Sequence, residues 1–464
     1  VSWLHTGAAG DPVVKTPHFD RIAKSGVLCR NSFSTCPGCA PSRASILTGR
    51  SIWQLEEAGT HASLFPKKFA VFPDLLRQAG YFTGLTGKGA GPANFKDAGW
   101  PHNPAGPAFD EHKVGKGKLD VSPDDYAANF DDFLKKRPKE TPFFFWYGSH
   151  EPHRSYRAGT GAAAGKDPAA VKVPGFLPDT PEVRSDLLDY YEEIEYFDGH
   201  LGRMIASIEK AGELGNTLIV VCGDNGMPFP RAKANLYEYG IHLPTAMSWP
   251  NAIPAGRAMD DLISFRDFAP TFLEAAGLRT PKEMAGRSLL AALQSSKSGQ
   301  IDASRTAITA GRERHSHARR DNLGYPSRAL RTERYLYIRN FAPELWPAGD
   351  PPGFADIDNG PSKSVVVARK DEFHGLSLDK RPAEEIFDIV ADPACLKNLA
   401  AHPAHRTALT AHRQQLGQIL KAEGDPRMLG TGAIFDSYPR YSPMRPELGG
   451  FAEEGKYNPA FRSK

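Results

Sequence analysis

The sequence predicts an α/β protein with a large, mixed, mostly parallel sheet sandwiched by helices. Three apolar segments of strand length, residues 81–86, 143–147 and 218–222, alternate with segments of helical character. A short helix is predicted over residues 74–78, and residues 187–208 carry an apolar stripe of helical period. This alternation is typical of sheets that have helices on both faces.

The pattern changes after about residue 300, so we expect a smaller α+β domain there. Residues 329–340 and 385–389 resemble separated strands, and residues 407–421 resemble one amphipathic helix. The predicted units are therefore a catalytic domain over residues 1–300 and a smaller domain over residues 301–464. We expect the final Pro-, Gly- and Tyr-rich stretch to wrap the surface.

Composition excludes several classes of protein. The 464 residues include 57 Lys plus Arg and 54 Asp plus Glu, and a net charge of +3 is too small to predict nucleic-acid binding. No apolar run approaches the roughly 18 residues of a membrane span. The five cysteines are scattered and odd in number, which argues against a disulfide framework.

Polar residues follow each of the predicted strands. Lys88 follows the first strand, His150 and His153 follow the second, and Asp224 and Asn225 follow the third. Ligand sites in α/β folds gather beyond the carboxyl ends of the strands. We therefore expect these five side chains to lie near one another.

The stretch of residues 36–50 is the most informative. Cys39 lies just before a predicted helix start, with Ser42 and Arg43 in the first turn, where free backbone N–H groups and the helix dipole favour an anion. The alternative is that Cys36 and Cys39 form a redox dithiol or half of a zinc site. The absence of a second Cys-x-x-Cys pair argues against zinc.

The run Cys39-Ala-Pro-Ser-Arg43, with Leu47-Thr-Gly-Arg50 after it, resembles the signature of the type I sulfatases of the alkaline-phosphatase-like superfamily. Residues 16–26 resemble the run that precedes this signature. The resemblance implies that a formylglycine-generating enzyme oxidises Cys39 to formylglycine, whose hydrate supplies the nucleophilic oxygen. It also implies that Arg43 stabilises charge beside this residue.

The resemblance extends to further site residues. It implies that Lys88 and Lys233 bind the sulfate group, and that His153 contacts sulfate and protonates the leaving group. His150 is a weaker candidate for substrate binding. Cys39, Arg43, Lys88, His153 and Lys233 are thus the candidate catalytic residues, and Lys88, His150, His153 and Lys233 are the candidate substrate-binding residues.

A calcium site is also implied, with Asp224, Asn225 and the modified Cys39 as ligands, since calcium prefers hard oxygen donors. Two features depart from the family. The two adjacent aspartates that end the family's first strand do not occur here, so we expect that strand to be truncated. Ala90 stands where the family has a histidine that deprotonates the hydrate, which leaves that base unassigned, with His150 as a possible substitute.

The predicted activity is hydrolysis of sulfate esters or sulfamates on a carbohydrate such as a heparan-type glycosaminoglycan fragment. Residues 224–230 and 340–344 resemble the heparan N-sulfatase (sulfamidase)-like branch. A phosphonate or phosphate monoester hydrolase and an inactive protein that binds sulfated glycans are the alternatives. A periplasmic or secreted location is expected, although the sequence shows no signal peptide.

A basic, His-rich segment follows the predicted domain boundary. We interpret it as a solvated charged face, which is more common for such segments than a glycan-binding loop. Its residues are Arg312, Arg314, His315, His317 and Arg319.

Overall fold

The computed structural model describes residues 1–115, 119–445 and 448. The strands there are β1 (Val27–Cys29), β2 (Ser32–Phe33), β3 (Phe82–Gly87), β4 (Phe143–Gly148), β5 (Ile219–Cys222), β6 (Thr245–Ser248), β7 (Arg257–Met259), β8 (Ile263–Ser264), β9 (Ala307–Arg312), β10 (Ser327–Thr332), β11 (Tyr335–Asn340) and β12 (Glu384–Asp388). The α-helices there are α1 (Pro17–Ser25), α2 (Cys39–Thr48), α3 (Phe72–Gln78), α4 (Tyr126–Lys136), α5 (Thr160–Ala163), α6 (Pro181–Lys210), α7 (Glu238–Ile241), α8 (Phe268–Ala275), α9 (Leu290–Gln294), α10 (Pro361–Ala368), α11 (Glu372–Leu378), α12 (Arg406–Ala422) and α13 (Ile434–Ser437).

The first part of the chain forms the predicted α/β arrangement. One sheet has the order β5-β6-β1-β7, with β1 parallel to β7 and antiparallel to β6, and β3 pairs with β4 in parallel. Alternate residues of β4 face two different helix layers: Phe143 and Phe145 pack with α4 and α6, whereas Phe144 and Trp146 pack with α2, α3 and α8. A mixed sheet between two helix layers is therefore confirmed.

Strand β4 is less buried than its sequence predicts. A continuous apolar run indicates a strand covered on both faces, but Phe143–Tyr147 are only half-buried. The reason is a cavity of about 910 Å³ that both β4 and β5 line. One end of this cavity reaches Cys39, Lys88, Asp224 and Lys233.

The predicted smaller domain contains an antiparallel sheet of order β12-β11-β10-β9, with α12 packed against it. It contacts the first part of the chain through buried ion pairs, such as Arg331 Nε to Glu238 Oε1 at 3.1 Å. The boundary at residue 300 and the truncated first strand stay predictions. Most of the predicted wrapping tail, residues 446–447 and 449–464, lies outside the described residues.

The interpretation of the basic segment as a solvated face is wrong. All five of its residues are buried: Arg312, Arg314, His315, His317 and Arg319. Arg312 and Arg319 each form an ion pair with Asp356 at 2.7 Å, and this pairing makes their burial possible. Sequence patterns could not reveal this carboxylate, because it lies more than thirty residues from either arginine.

None of the helices in the described ranges is long and apolar enough to cross a membrane. The longest of them, α6, is amphipathic and carries charged residues throughout.

We expect Arg328→Ala to lower the free energy of unfolding by about 3–5 kcal/mol, because it leaves the buried carboxylate of Asp425 without a cationic partner. Glu313 keeps a second ion pair, with Arg427 at 2.7 Å. Arg328 is fully buried and pairs with Glu313 at 2.8 Å and with Asp425 at 2.7 Å. Urea denaturation followed by circular dichroism measures the change. Arg413→Ala, which removes an exposed pair with Glu384, is the control and should cost less than about 1 kcal/mol. Equal effects would contradict this account.

Candidate active site

Helix α2 begins at Cys39 itself, whereas the sequence predicts a start just after this residue, and every residue of the helix is buried. Gly38 precedes it in extended conformation and makes no side-chain cap. The first N–H groups of α2 therefore have no capping side chain in competition with a ligand, and the helix dipole adds positive potential at Cys39. This geometry favours an anion beside residue 39.

Arg43, one turn along α2, connects the helix to two strand ends. Its Nε donates to Asp224 Oδ2 at 2.7 Å, and its Nη1 donates to the carbonyl oxygens of Lys88 and Gly89. Arg43 as a whole residue is only 7% exposed. Its five donors suit this bridging role, which fixes the loop after β3 and the loop after β5 on the same helix.

Two glycines bring the Lys88 loop close to the end of β4. Gly87 has a φ of +72°, which disfavours any residue with a side chain. A Cβ on Gly148 would lie 1.9 Å from the carbonyl oxygen of Lys88. The neighbouring parallel strands β3 and β4 can therefore deliver Lys88 and the loop with His150 and His153 to one point.

Lys233 and His153 form the other side of the site. Lys233 is buried, and its Nζ lies 3.2 Å from His153 Nε2 and 2.6 Å from Asp358 Oδ2. The Nδ1–H of His153 donates to the carbonyl oxygen of Arg154 at 2.6 Å, which leaves Nε2 to accept from the lysine. The positive charge of Lys233, followed by burial, lowers the pKa of His153.

The cations act on residue 39 itself. Burial alone would raise the pKa of the Cys39 thiol, but the charges of Lys88, Lys233 and His153 outweigh it, and the pKa lies below its usual value. Burial raises the pKa of nearby Cys36 to about 12. All five cysteines lie in the described part of the chain, and each is a free thiol. The two thiols of this motif therefore differ in acidity, and no disulfide joins them.

The opposing carboxylates are strongly acidic. Burial would raise the pKa of Asp224, but Arg43 and Lys88 outweigh it and hold that pKa far below the usual range. Lys233 has the same effect on the pKa of Asp358. Both carboxylates are therefore ionised at neutral pH and compensate the cluster of positive charge.

The structure brings together Cys39, Arg43, Lys88, His153, Asp224 and Lys233 at one end of the cavity. His150 and Asn225 also line this cavity, and the imidazole of His150 is exposed. Sequence reasoning missed Asp358 and His61. His61 Nε2 lies 3.4 Å from Cys39 Sγ. Neither lies in a recognised motif or after a predicted strand, so the sequence carried no usable signal for them.

The described residues do not make a complete calcium shell. Asp224 and Asn225 supply side-chain oxygens, but no group of three or more His, Cys, Asp or Glu side chains able to hold a metal occurs in the part of the chain that the structure describes. One Asp224 oxygen already accepts from Arg43. Calcium takes six to eight oxygen ligands, so this pair alone does not fit the ion.

Comparison with known proteins agrees with this geometry. The family model described as Sulfatase matches residues 1–278, which is more than half of the chain. The chain belongs to the sulfatase family. A second model, described as N-sulphoglucosamine sulphohydrolase, C-terminal, matches residues 231–350. The predicted assignment to sulfuric ester hydrolases, with sulfamidase-like members as similar proteins, is confirmed.

Individual sulfatases resemble the chain over most of its length. An ulvan-active sulfatase of Formosa agariphila is 30% identical over 92% of this chain and 74% of its own length. The human N-sulphoglucosamine sulphohydrolase is 27% identical over 96% of this chain and 93% of its own length. The solved structure of BT4656 with its substrate D-glucosamine-2-N,6-O-disulfate superposes with a TM-score of 0.68, at 21% identity, over 92% of this chain and 97% of that one. The predicted alkaline-phosphatase-like fold is therefore confirmed.

We expect iodoacetamide to alkylate Cys39 faster than Cys222 in the unmodified, folded chain at neutral pH. Both thiols line the same cavity, but burial and Asp224 raise the pKa of Cys222 to about 12, whereas cations lower that of Cys39. The thiolate is the reactive form. Peptide mass spectrometry against time measures both rates. Equal rates, or faster labelling of Cys222, would show that the cations do not act on Cys39.

We expect Lys233→Met to raise the pKa of His153 toward the usual 6.5, because the ammonium group is the main cause of its lowering. Histidine resonances followed by NMR against pH measure the change. Lys68→Met is the matched control, since Lys68 is exposed and pairs with Glu56. An unchanged His153 titration in Lys233→Met would contradict the coupling.

Proposed function

We propose that the chain hydrolyses sulfate esters or sulfamates on a carbohydrate, with formylglycine derived from Cys39 as the nucleophile. The observation that carries this proposal is the convergence of Lys88, Lys233, His153 and Arg43 on residue 39 at the end of an open cavity. A sulfate group next to a nucleophilic oxygen concentrates negative charge, and preorganised cations are what such a reaction requires.

Formylglycine would supply a hydrated carbonyl, one of whose hydroxyls attacks sulfur. An unmodified serine or cysteine would be left as a stable ester, whereas the second hydroxyl of a hydrate permits release. The site fits this group: the residue is buried, small and at a helix N-terminus. Lys88 and Lys233 would bind the sulfate oxygens, and Arg43 would keep Asp224 and the Lys88 loop fixed around them.

His153 would act as the general acid. In the free protein its Nε2 accepts from Lys233, so proton donation requires protonation at this atom first. A bound sulfate favours the imidazolium, because an anion near a histidine raises its pKa. The bond from Nδ1–H to the Arg154 carbonyl keeps the ring turned toward the leaving oxygen or nitrogen.

Calcium has a more limited place in this proposal. Sulfatases generally use calcium, and Asp224 and Asn225 are the residues here that could contribute oxygens to it. Since Asp224 and Asn225 do not complete the coordination shell of calcium, none of the proposed steps depends on the ion. Maturation by a formylglycine-generating enzyme and a periplasmic or secreted location stay predictions.

The substrate class is supported by the relatives. One similar protein is named as an ulvan-active sulfatase, another is named for N-sulphoglucosamine, and BT4656 was solved with its substrate D-glucosamine-2-N,6-O-disulfate. We therefore propose a sulfated glycan fragment with a glucosamine N-sulfate or O-sulfate. A phosphonate or phosphate monoester hydrolase would need the same cations, and an inactive glycan-binding protein would need no chemistry at residue 39.

The proposal is tested by measuring sulfate release by the protein after it has been produced together with a formylglycine-generating enzyme. The peptide with residue 39 should lose the mass difference between a thiol and an aldehyde side chain, and the protein should release sulfate from glucosamine 2-N-sulfate or 6-O-sulfate. Cys39→Ala should abolish turnover, and Arg43→Ala should lower kcat by about 10²–10³-fold. Arg413→Ala, an exposed change, should have no effect.

Three outcomes would decide against the proposal. Faster hydrolysis of an aryl phosphonate than of any sulfate would favour the phosphonate alternative. Binding without turnover by fully modified protein would favour the glycan-binding alternative. Full activity of Cys39→Ala would contradict the role of residue 39.

A further inference from the structure

We propose that His61 is the general base that removes the proton from the remaining hydroxyl of the residue 39 hydrate and thereby releases sulfate. The inference rests on the proposed function. It assigns a residue to deprotonation of the hydrate, because Ala90 stands where the family has a histidine for this step.

The first support is distance. His61 Nε2 lies 3.4 Å from Cys39 Sγ, within hydrogen-bond reach of a sulfur atom. Sγ is bonded to Cβ, and in the hydrate Cβ carries the two oxygens, so Sγ marks the region that one of them occupies. A general base must lie within hydrogen-bond reach of the proton that it abstracts.

The second support is the setting of the ring. The His61 ring packs on the ring of His315 with a centroid distance of 4.5 Å, and its backbone N–H donates to the carbonyl oxygen of Arg314 at 3.1 Å. Its Nδ1 is shielded from solvent and has no hydrogen-bond partner in the described structure. The ring is therefore held by packing and backbone contacts, and its polar contact is with residue 39.

The third support is the comparison with His150. That imidazole is exposed, and the structure records no side-chain hydrogen bond between it and residue 39. His153 is already engaged with Lys233 and the Arg154 carbonyl, on the side assigned to the leaving group. The two steps of the proposed reaction would thus use different histidines. His153 would protonate the leaving group, and His61 would remove the proton whose loss releases sulfate.

Release of sulfate regenerates the aldehyde of residue 39. After leaving-group departure, Cβ of residue 39 bears one hydroxyl and one sulfate oxygen. His61 Nε2 takes the hydroxyl proton, the freed electron pair forms the C=O bond, and the bond from Cβ to the sulfate oxygen breaks so that sulfate leaves with its electrons. Water then adds across the carbonyl, and the imidazolium passes its proton to solvent.

The experiment uses chain with formylglycine at residue 39 and a glucosamine sulfate that the wild-type protein hydrolyses. In His61→Ala and His61→Gln we expect one turnover of desulfated sugar per protein, followed by a steady rate reduced about 10²–10⁴-fold. Mass spectrometry of the quenched protein should show sulfate retained on the residue 39 peptide. Added imidazole should restore turnover in His61→Ala, because the deleted ring leaves space beside the cavity. Melting temperatures of both His61 variants that equal the wild-type value would verify that the variants are folded.

His112→Ala, a change at an exposed histidine outside the cavity lining, is the matched control and should neither retain sulfate nor lose steady turnover. His150→Ala, at the candidate substrate-binding residue, should not retain sulfate. Slow first turnover without retained sulfate in both His61 variants would overturn the proposal, as would sulfate retention in His150→Ala alone. Wild-type protein that carries the aldehyde but does not hydrolyse any sulfate would contradict the proposed function instead. The two failures therefore differ in whether the wild-type protein turns over.

Discussion

The concentration of positive charge around residue 39 is the constraint on which the rest of the site depends. Lys88, Lys233 and Arg43 are held close together in a setting that water only partly reaches. Buried charges of like sign are unstable unless carboxylates compensate them. Asp224 and Asp358 provide that compensation, one from the end of β5 and one from a loop far along the chain.

This balance also explains why two cysteines of one short motif behave differently. Cys36 and Cys39 are three residues apart and are both buried. Burial dominates at Cys36 and keeps it a neutral thiol, whereas the cations dominate at Cys39. The acidity of the residue 39 thiol therefore depends on neighbours that the folded chain supplies and not on the Cys-x-x-Cys spacing.

Short-range patterns carried most of what could be predicted from the sequence. Apolar runs identified β3, β4 and β5 to within one residue of their observed bounds, because local burial dictates those patterns. Helical periodicity identified α6, which begins at residue 181 and not at 187. The start of α2 was predicted just after Cys39, and the helix begins at Cys39 itself. The burial of β4 was predicted wrongly. The strand is only half-buried because it borders the cavity, which its sequence does not reveal.

Long-range pairing explains what could not be predicted. Asp358 is 125 residues from Lys233, and His61 reaches Cys39 from a loop without a motif. The basic segment is buried because Asp356 neutralises two of its arginines, and a composition-based interpretation could not anticipate that partner. Such pairs form only in the tertiary structure. The sequence therefore pointed to the residues around Cys39 that lie in motifs, but not to Asp358 or His61.

The ion pair between Lys233 and Asp358 joins residues from the two predicted domains. The loop with Asp358 therefore helps to set the electric field that acts on the reacting group, although it lies in the smaller predicted unit. Variation in that loop would therefore alter the surroundings of Lys233, although the lysine itself lies in the first predicted domain. The charge balance of the site is consequently not a property of one predicted domain, and transplanting the C-terminal part between relatives would replace the carboxylate that neutralises Lys233.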